Sequence, residues 1–264
     1  MNYELKTAKT AGFEMDYLKF GSGKRTMVIL PGIALSSVLQ TAPAIAEAYS
    51  GFADEFTVYL FENRKNIRKG YTVEDMAEDA AAAMKDAGIE KACIFGASHG
   101  GMVAQSIAVL HPEIVEKLFI ASSLSRPNEV FTGNLEEMDR LIKAGTLEEM
   151  NHFFFEHVYS EEYIEKYKDV FDFLAKMGTE EEVEKFLLLI DSCRNFDISD
   201  RISSIKCPAF AVGSKKDKML TGEATAETAE LLGCGYYLYE GFGHAVYDEA
   251  PDYKDRIMVF FGRS

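Results

Sequence analysis

The hydrophobic pattern changes character twice along the chain. In the first third, short apolar runs alternate with longer segments of mixed polarity. Phe13–Phe20, Thr26–Leu30, Phe56–Phe61, Ala92–Phe95 and Leu118–Ala121 read as strands, two of them stopped by the turn signals Gly21-Ser22-Gly23 and Pro31-Gly32. Thr72 to Ala87 reads as a helix, with Thr72 as N-cap, acids in the first turn and an alanine-rich body ending near Gly88; Met102–Leu110 reads as another. Strands that are apolar throughout, separated by helices, predict a mostly parallel sheet covered on both faces.

From Arg126 to Asp200 the pattern turns helical and acidic. Asn134 with Glu137, Thr146 with Glu149 and Thr179 with Glu182 each fit an N-cap followed by an acid at the third position. The α/β rhythm then returns with a strand at Ala209–Val212, a helix near Ala224–Leu232, a strand at Tyr236–Tyr239 and a last helix near Asp252–Phe261. This predicts one α/β core, residues 1–125 and 201–264, interrupted after Leu118–Ala121 by a helical cap, residues 126–200.

Composition narrows the partners. Of the 264 residues 47% are hydrophobic and 27% charged, a globular balance. The net charge is −15, and the segment 126–200 carries much of it, with 19 acidic against 8 basic residues. A chain so negative repels phosphate backbones and anionic lipid, so neither nucleic acid nor a membrane surface is an expected partner. No stretch approaches the roughly 20 apolar residues of a membrane span. Met1 to Lys9 alternates polar and apolar residues without the hydrophobic centre of a secretion signal. Cys93, Cys193, Cys207 and Cys234 are scattered, with no metal spacing, and read as core residues of a reducing compartment, the cytoplasm.

Chemistry concentrates in Ala92-Cys93-Ile94-Phe95-Gly96-Ala97-Ser98-His99-Gly100-Gly101. Gly-x-Ser-x-Gly alone is a weak pattern, but here an apolar strand leads in and a helix follows. A sharp strand-to-helix turn strains the serine backbone and leaves no room for side chains two residues to either side, which Gly96 and Gly100 satisfy. Such a serine needs a base oriented by a third group. His99 adjoins Ser98, with its side chain expected to project away from the hydroxyl. His111 reads as a helix C-terminal cap, and His152 and His157 as packing or solvated residues. His244, in Gly241-Phe242-Gly243-His244-Ala245 just past the last strand, is placed to reach back over the sheet edge.

The acid is expected in the loop after Ala209–Val212, which reads Gly213-Ser214-Lys215-Lys216-Asp217-Lys218. Taken alone, Asp217 among three lysines reads as a solvated turn. The chain order Ser98, Asp217, His244 matches a known triad arrangement and favours Asp217, with Asp248 as the competing acid.

On these residues the chain resembles the α/β-hydrolase superfamily over nearly its full length, and Gly96 to Gln105 (GASHGGMVAQ) looks like its smaller cap-bearing esterases, lactonases and haloperoxidase-like members. The resemblance implies an oxyanion hole made by the backbone N–H groups of Ile33 and His99. This chain has Pro31-Gly32 where many relatives carry His-Gly, and Glu62-Asn63-Arg64-Lys65 where they often carry Asp-x-Arg-Gly. Ser98 stands where dehalogenases and epoxide hydrolases of this fold use aspartate, which argues against both.

The expected function is hydrolysis of a carboxylic ester or lactone, a small-molecule substrate, through Ser98, His244 and Asp217, with no cofactor and no metal. The alternatives are thioester or amide hydrolysis, carbon–carbon bond hydrolysis or perhydrolysis on the same triad, and a slow-turnover ligand-binding or signalling role. Phe153, Phe154, Phe155, Leu187 and Leu188 are candidate lining residues of an apolar pocket, and core packing explains them equally well.

Overall fold

The computed structural model describes residues 2–262. Eight strands form one sheet: β1 (Tyr3–Lys9), β2 (Glu14–Phe20), β3 (Arg25–Leu30), β4 (Phe56–Phe61), β5 (Ala92–Ala97), β6 (Val115–Ala121), β7 (Ala209–Ser214) and β8 (Gly235–Tyr239). Their spatial order is β1-β2-β4-β3-β5-β6-β7-β8. The pairs β1/β2 and β2/β4 are antiparallel, and every other neighbouring pair is parallel.

Period-two geometry explains why the parallel strands are apolar without interruption. Val28 and Leu30 of β3, Ile94 of β5, and Leu118 and Ile120 of β6 feed one core. Met27 and Ile29, Cys93 and Phe95, and Phe119 and Ala121 feed the other. The first core is covered by α2 (Val73–Asp86), α3 (His99–Leu110) and α9 (Gly222–Leu232), the second by α1 (Ala42–Ala48) and α11 (Tyr253–Gly262). Phe119, fully buried, meets Phe95 edge-on at 6.1 Å between ring centroids, and a truncation to alanine there would cost about 3–5 kcal/mol.

Five helices lie between β6 and β7: α4 (Glu129–Lys143), α5 (Leu147–Val158), α6 (Glu161–Lys166), α7 (Lys168–Leu174) and α8 (Glu180–Cys193). Leu135, Met138, Met150, Phe186 and Leu189 from this insertion join the core on the α3 side. α3 is consequently buried on almost every side from His99 to Ala108, which is why it is apolar all round rather than striped.

The caps show where sequence pattern and tertiary context part. Thr72 with Asp75 and Thr179 with Glu182 form reciprocal capping boxes. Asn134 does not cap. It lies inside α4, donating to the carbonyls of Lys218 and Met219, while Asn128 accepts from the Phe131 N–H at the true helix start. Thr146 stands at the N-cap of α5, but its hydroxyl donates back to the Leu141 carbonyl.

Candidate active site

The chain leaves β3 toward β4 on one side and returns to β5 on the other, so the ends of β3 and β5 meet where the strand order reverses. Open α/β sheets have their ligand crevice at such a point, outside the carboxyl ends of the strands. Ser98 occupies the end of β5, with a single residue separating strand from helix α3. Its backbone lies at φ 53°, ψ −122°, a region that side chains other than glycine rarely enter. Close packing holds it there: a Cβ on Gly96 would stand 2.4 Å from the Gly100 carbonyl oxygen. The Ser98 N–H is donated to the Ala121 carbonyl at 2.8 Å, anchoring the turn to β6.

His244 follows β8 and is 2% exposed. The Ser98 hydroxyl lies 2.9 Å from its Nε2, and its Nδ1 lies 2.8 Å from Asp217 Oδ2. With the Nδ1 proton donated to the carboxylate, Nε2 is left to accept from the serine hydroxyl. Asp217 is buried among its lysines. Its Oδ1 accepts from the N–H groups of Met219 at 2.8 Å and Leu220 at 3.0 Å, leaving Oδ2 for the imidazole. The lysines turn outward, Lys215 to Glu240 and Lys218 to Glu161. These two amide donors were invisible in sequence, because nothing in Lys-Lys-Asp-Lys shows that the loop folds back over its own aspartate.

Asp248, the competing acid, lies elsewhere: it accepts from the Tyr159 hydroxyl and sits in the short helix α10 (Val246–Glu249). Ile33 is on the loop leaving β3, one residue past Gly32, where a Cβ would stand 3.2 Å from Ser98 Cβ. His99 opens α3, so its N–H is among the first four of the helix, which have no partner within it. Neither the Ile33 nor the His99 N–H is donated to another of the described residues.

The His99 side chain is buried and lines a cavity of about 20 Å³ with Phe61, Arg64, Tyr71 and Val103. Burial pushes its imidazole down to about 4, so the ring is neutral near neutral pH. His111 ends α3 and contacts Glu78 at 3.0 Å, and His157 bonds the Phe153 carbonyl and stacks on that ring. Phe153, Phe154, Phe155, Leu187 and Leu188 are all half-buried. Among the described residues no group of three or more His, Cys, Asp or Glu side chains is arranged to hold a metal ion, and no helix is long and apolar enough to cross a membrane.

The chain is similar to known proteins over most of its length. It is 24% identical over 253 residues to a protein named as carbamate hydrolase RutD in Rhizobium rhizogenes (strain K84 / ATCC BAA-868), covering 89% of this chain and 92% of that one. Its fold matches MGS-M2, an alpha/beta hydrolase enzyme from a Medee basin deep-sea metagenome library, with a TM-score of 0.87 at 19% identity, covering 98% of each chain. It also matches the enol-lactonase from Burkholderia xenovorans LB400, with a TM-score of 0.83 at 17% identity, covering 98% of this chain and 100% of that one. The family model for the alpha/beta hydrolase fold matches residues 25–251, from the start of β3 to just past α10, and the chain belongs to that family.

Proposed function

We propose that the protein is a serine hydrolase that cleaves a carboxylic ester or lactone through an acyl-enzyme on Ser98. The observation that carries this reading is the continuous line from the Ser98 hydroxyl through both ring nitrogens of His244 to a buried Asp217, at 2.9 and 2.8 Å. His244 takes the hydroxyl proton as Ser98 Oγ attacks the carbonyl carbon, and Asp217 balances the imidazolium that forms. The Ile33 and His99 N–H groups, free of other partners among the described residues, stabilise the oxyanion, a contribution typically worth ~10²–10³ in rate for each donor. Collapse expels the alcohol with the proton from His244. Water, activated by the same base, then releases the acid.

In this reading the five helices of the insertion form a cap, residues 126–200, and the substrate lies between it and the carboxyl edge of the sheet. A carbamate is the second substrate class, supported by the relative named for carbamate hydrolysis; its carbonyl would take the same attack. The four free thiols support a reducing compartment such as the cytoplasm.

The test is a fluorophosphonate probe followed by a panel of short p-nitrophenyl esters, lactones and aryl carbamates. One label on Ser98, lost in Ser98→Ala together with turnover, is the expected result. Absence of labelling in the wild type, or turnover that survives Ser98→Ala, overturns the reading.

A further inference from the structure

The junction between α5 and α6, Val158 to Ser160, runs directly across the loop that carries His244. The Ala245 N–H donates to the Val158 carbonyl at 2.8 Å. A Cβ on Gly243 would stand 2.6 Å from the Tyr159 carbonyl carbon and 2.7 Å from both Ser160 N and the Val158 carbonyl oxygen, so only glycine lets the two backbones pass. Glu249 closes the seam. Its Oε1 accepts the Gly243 N–H at 3.0 Å and the Ser160 N–H at 3.1 Å, and its Oε2 accepts the Ser160 hydroxyl. Ser160 Oγ in turn accepts from the Tyr163 N–H and caps α6. One carboxylate thus gathers donors from the residue beside the candidate base and from a segment 89 positions away in sequence.

We infer that Glu249 is a positioning residue, which registers the His244 loop against the inserted helices so that the imidazole meets Ser98 only when this end of the insertion is seated. The imidazole is held at both nitrogens by side chains, while the backbone on either side of it is tied to the seam, Ala245 directly through the Val158 carbonyl and Gly243 through Glu249, the carboxylate that also binds Ser160. Movement of the insertion at Val158–Ser160 therefore carries the base with it.

The inference rests on the roles proposed for Ser98 and His244, while the seam itself does not, and the experiment separates the two. In Glu249→Gln the carbonyl oxygen still takes both N–H groups and the amide donates to Ser160 Oγ, so reach is kept and charge is lost. In Glu249→Asp the charge is kept and the reach is lost.

Glu249→Gln is expected to keep the fluorophosphonate labelling rate and kcat within about threefold of wild type, whereas Glu249→Asp loses about 10- to 100-fold in both at unchanged KM. Amide hydrogen exchange at Gly243 and Ala245 should quicken about tenfold in Glu249→Asp and stay as in wild type in Glu249→Gln. Equal losses in the two variants, or wild-type labelling and exchange in Glu249→Asp, overturn the inference. If the wild type is not labelled at all, the hydrolase reading fails, and exchange alone then decides whether Glu249 holds the seam. An aspartate variant that does not fold while the glutamine variant keeps wild-type exchange also supports a role set by reach.

Discussion

Gly100 packs against Leu30 so closely that a Cβ on the glycine would stand 2.0 Å from the Leu30 carbonyl oxygen. The first turn of α3 and the end of β3 are therefore in backbone-to-backbone contact, and this contact sets where the His99 N–H stands relative to Ser98 and to the loop bearing Ile33. No flexible side chain is available to yield. Gly100→Ala is expected to destabilise the fold by about 1–3 kcal/mol in urea denaturation and to depress the proposed ester hydrolysis further than the stability loss accounts for, because the helix start must move off β3.

Asp217→Asn should leave the Ser98 turn and the fold intact and lower kcat by ~10⁴-fold, because an amide no longer holds the imidazole in the tautomer that accepts from serine. Asp248→Asn should cost less than about tenfold, since Asp248 answers to Tyr159 rather than to His244. Paired steady-state measurements on one ester check both. Larger loss in Asp248→Asn would reassign the acid.

His99 gives the protein an acid sensitivity separate from its chemistry. Burial holds its imidazole down at about 4 from an ordinary value of 6.5, so between those pH values the unfolded chain binds a proton that the folded chain does not. Stability from this group is complete above the unfolded value and is lost as pH falls toward 4, a difference of roughly 3 kcal/mol. Urea denaturation of wild type and His99→Met at pH 7.5 and about pH 5 reads this directly. The wild type should lose more stability than the variant on acidification, and equal losses would refute a buried neutral imidazole.

The central strands were legible because a parallel strand covered on both faces must be apolar at every position, as in Thr26–Leu30 and Ala92–Phe95. β1 is not legible as a strand: it is an edge strand, largely exposed, and its alternation of polar and apolar residues says little when only Ala8 is buried. Asn134 mimics a cap because an acid follows at the third position, and the insertion's contact with the Lys218–Met219 carbonyls, which decides its true role, comes from a distant segment. Ser98 and His244 stood out through their glycine neighbours, and Asp217 through chain order alone. The two amides on Asp217 come from its own loop, two and three residues on, in a turn that the lysine-rich sequence does not announce, and the two Ser160 donors on Glu249 depend on segments 89 positions apart meeting in space, which local pattern does not encode.

Ser98 sits at φ 53° because its surroundings force it there, a conformation that costs of order 1–3 kcal/mol for a residue with a side chain. Glycine would occupy the same turn at ease. Ser98→Gly should accordingly melt at a higher temperature than the wild type while losing the turnover proposed for Ser98 to the small residual rate that binding alone supports. Durability and reactivity pull in opposite directions at this one position, and a more heat-resistant version of the protein must be sought elsewhere in the chain.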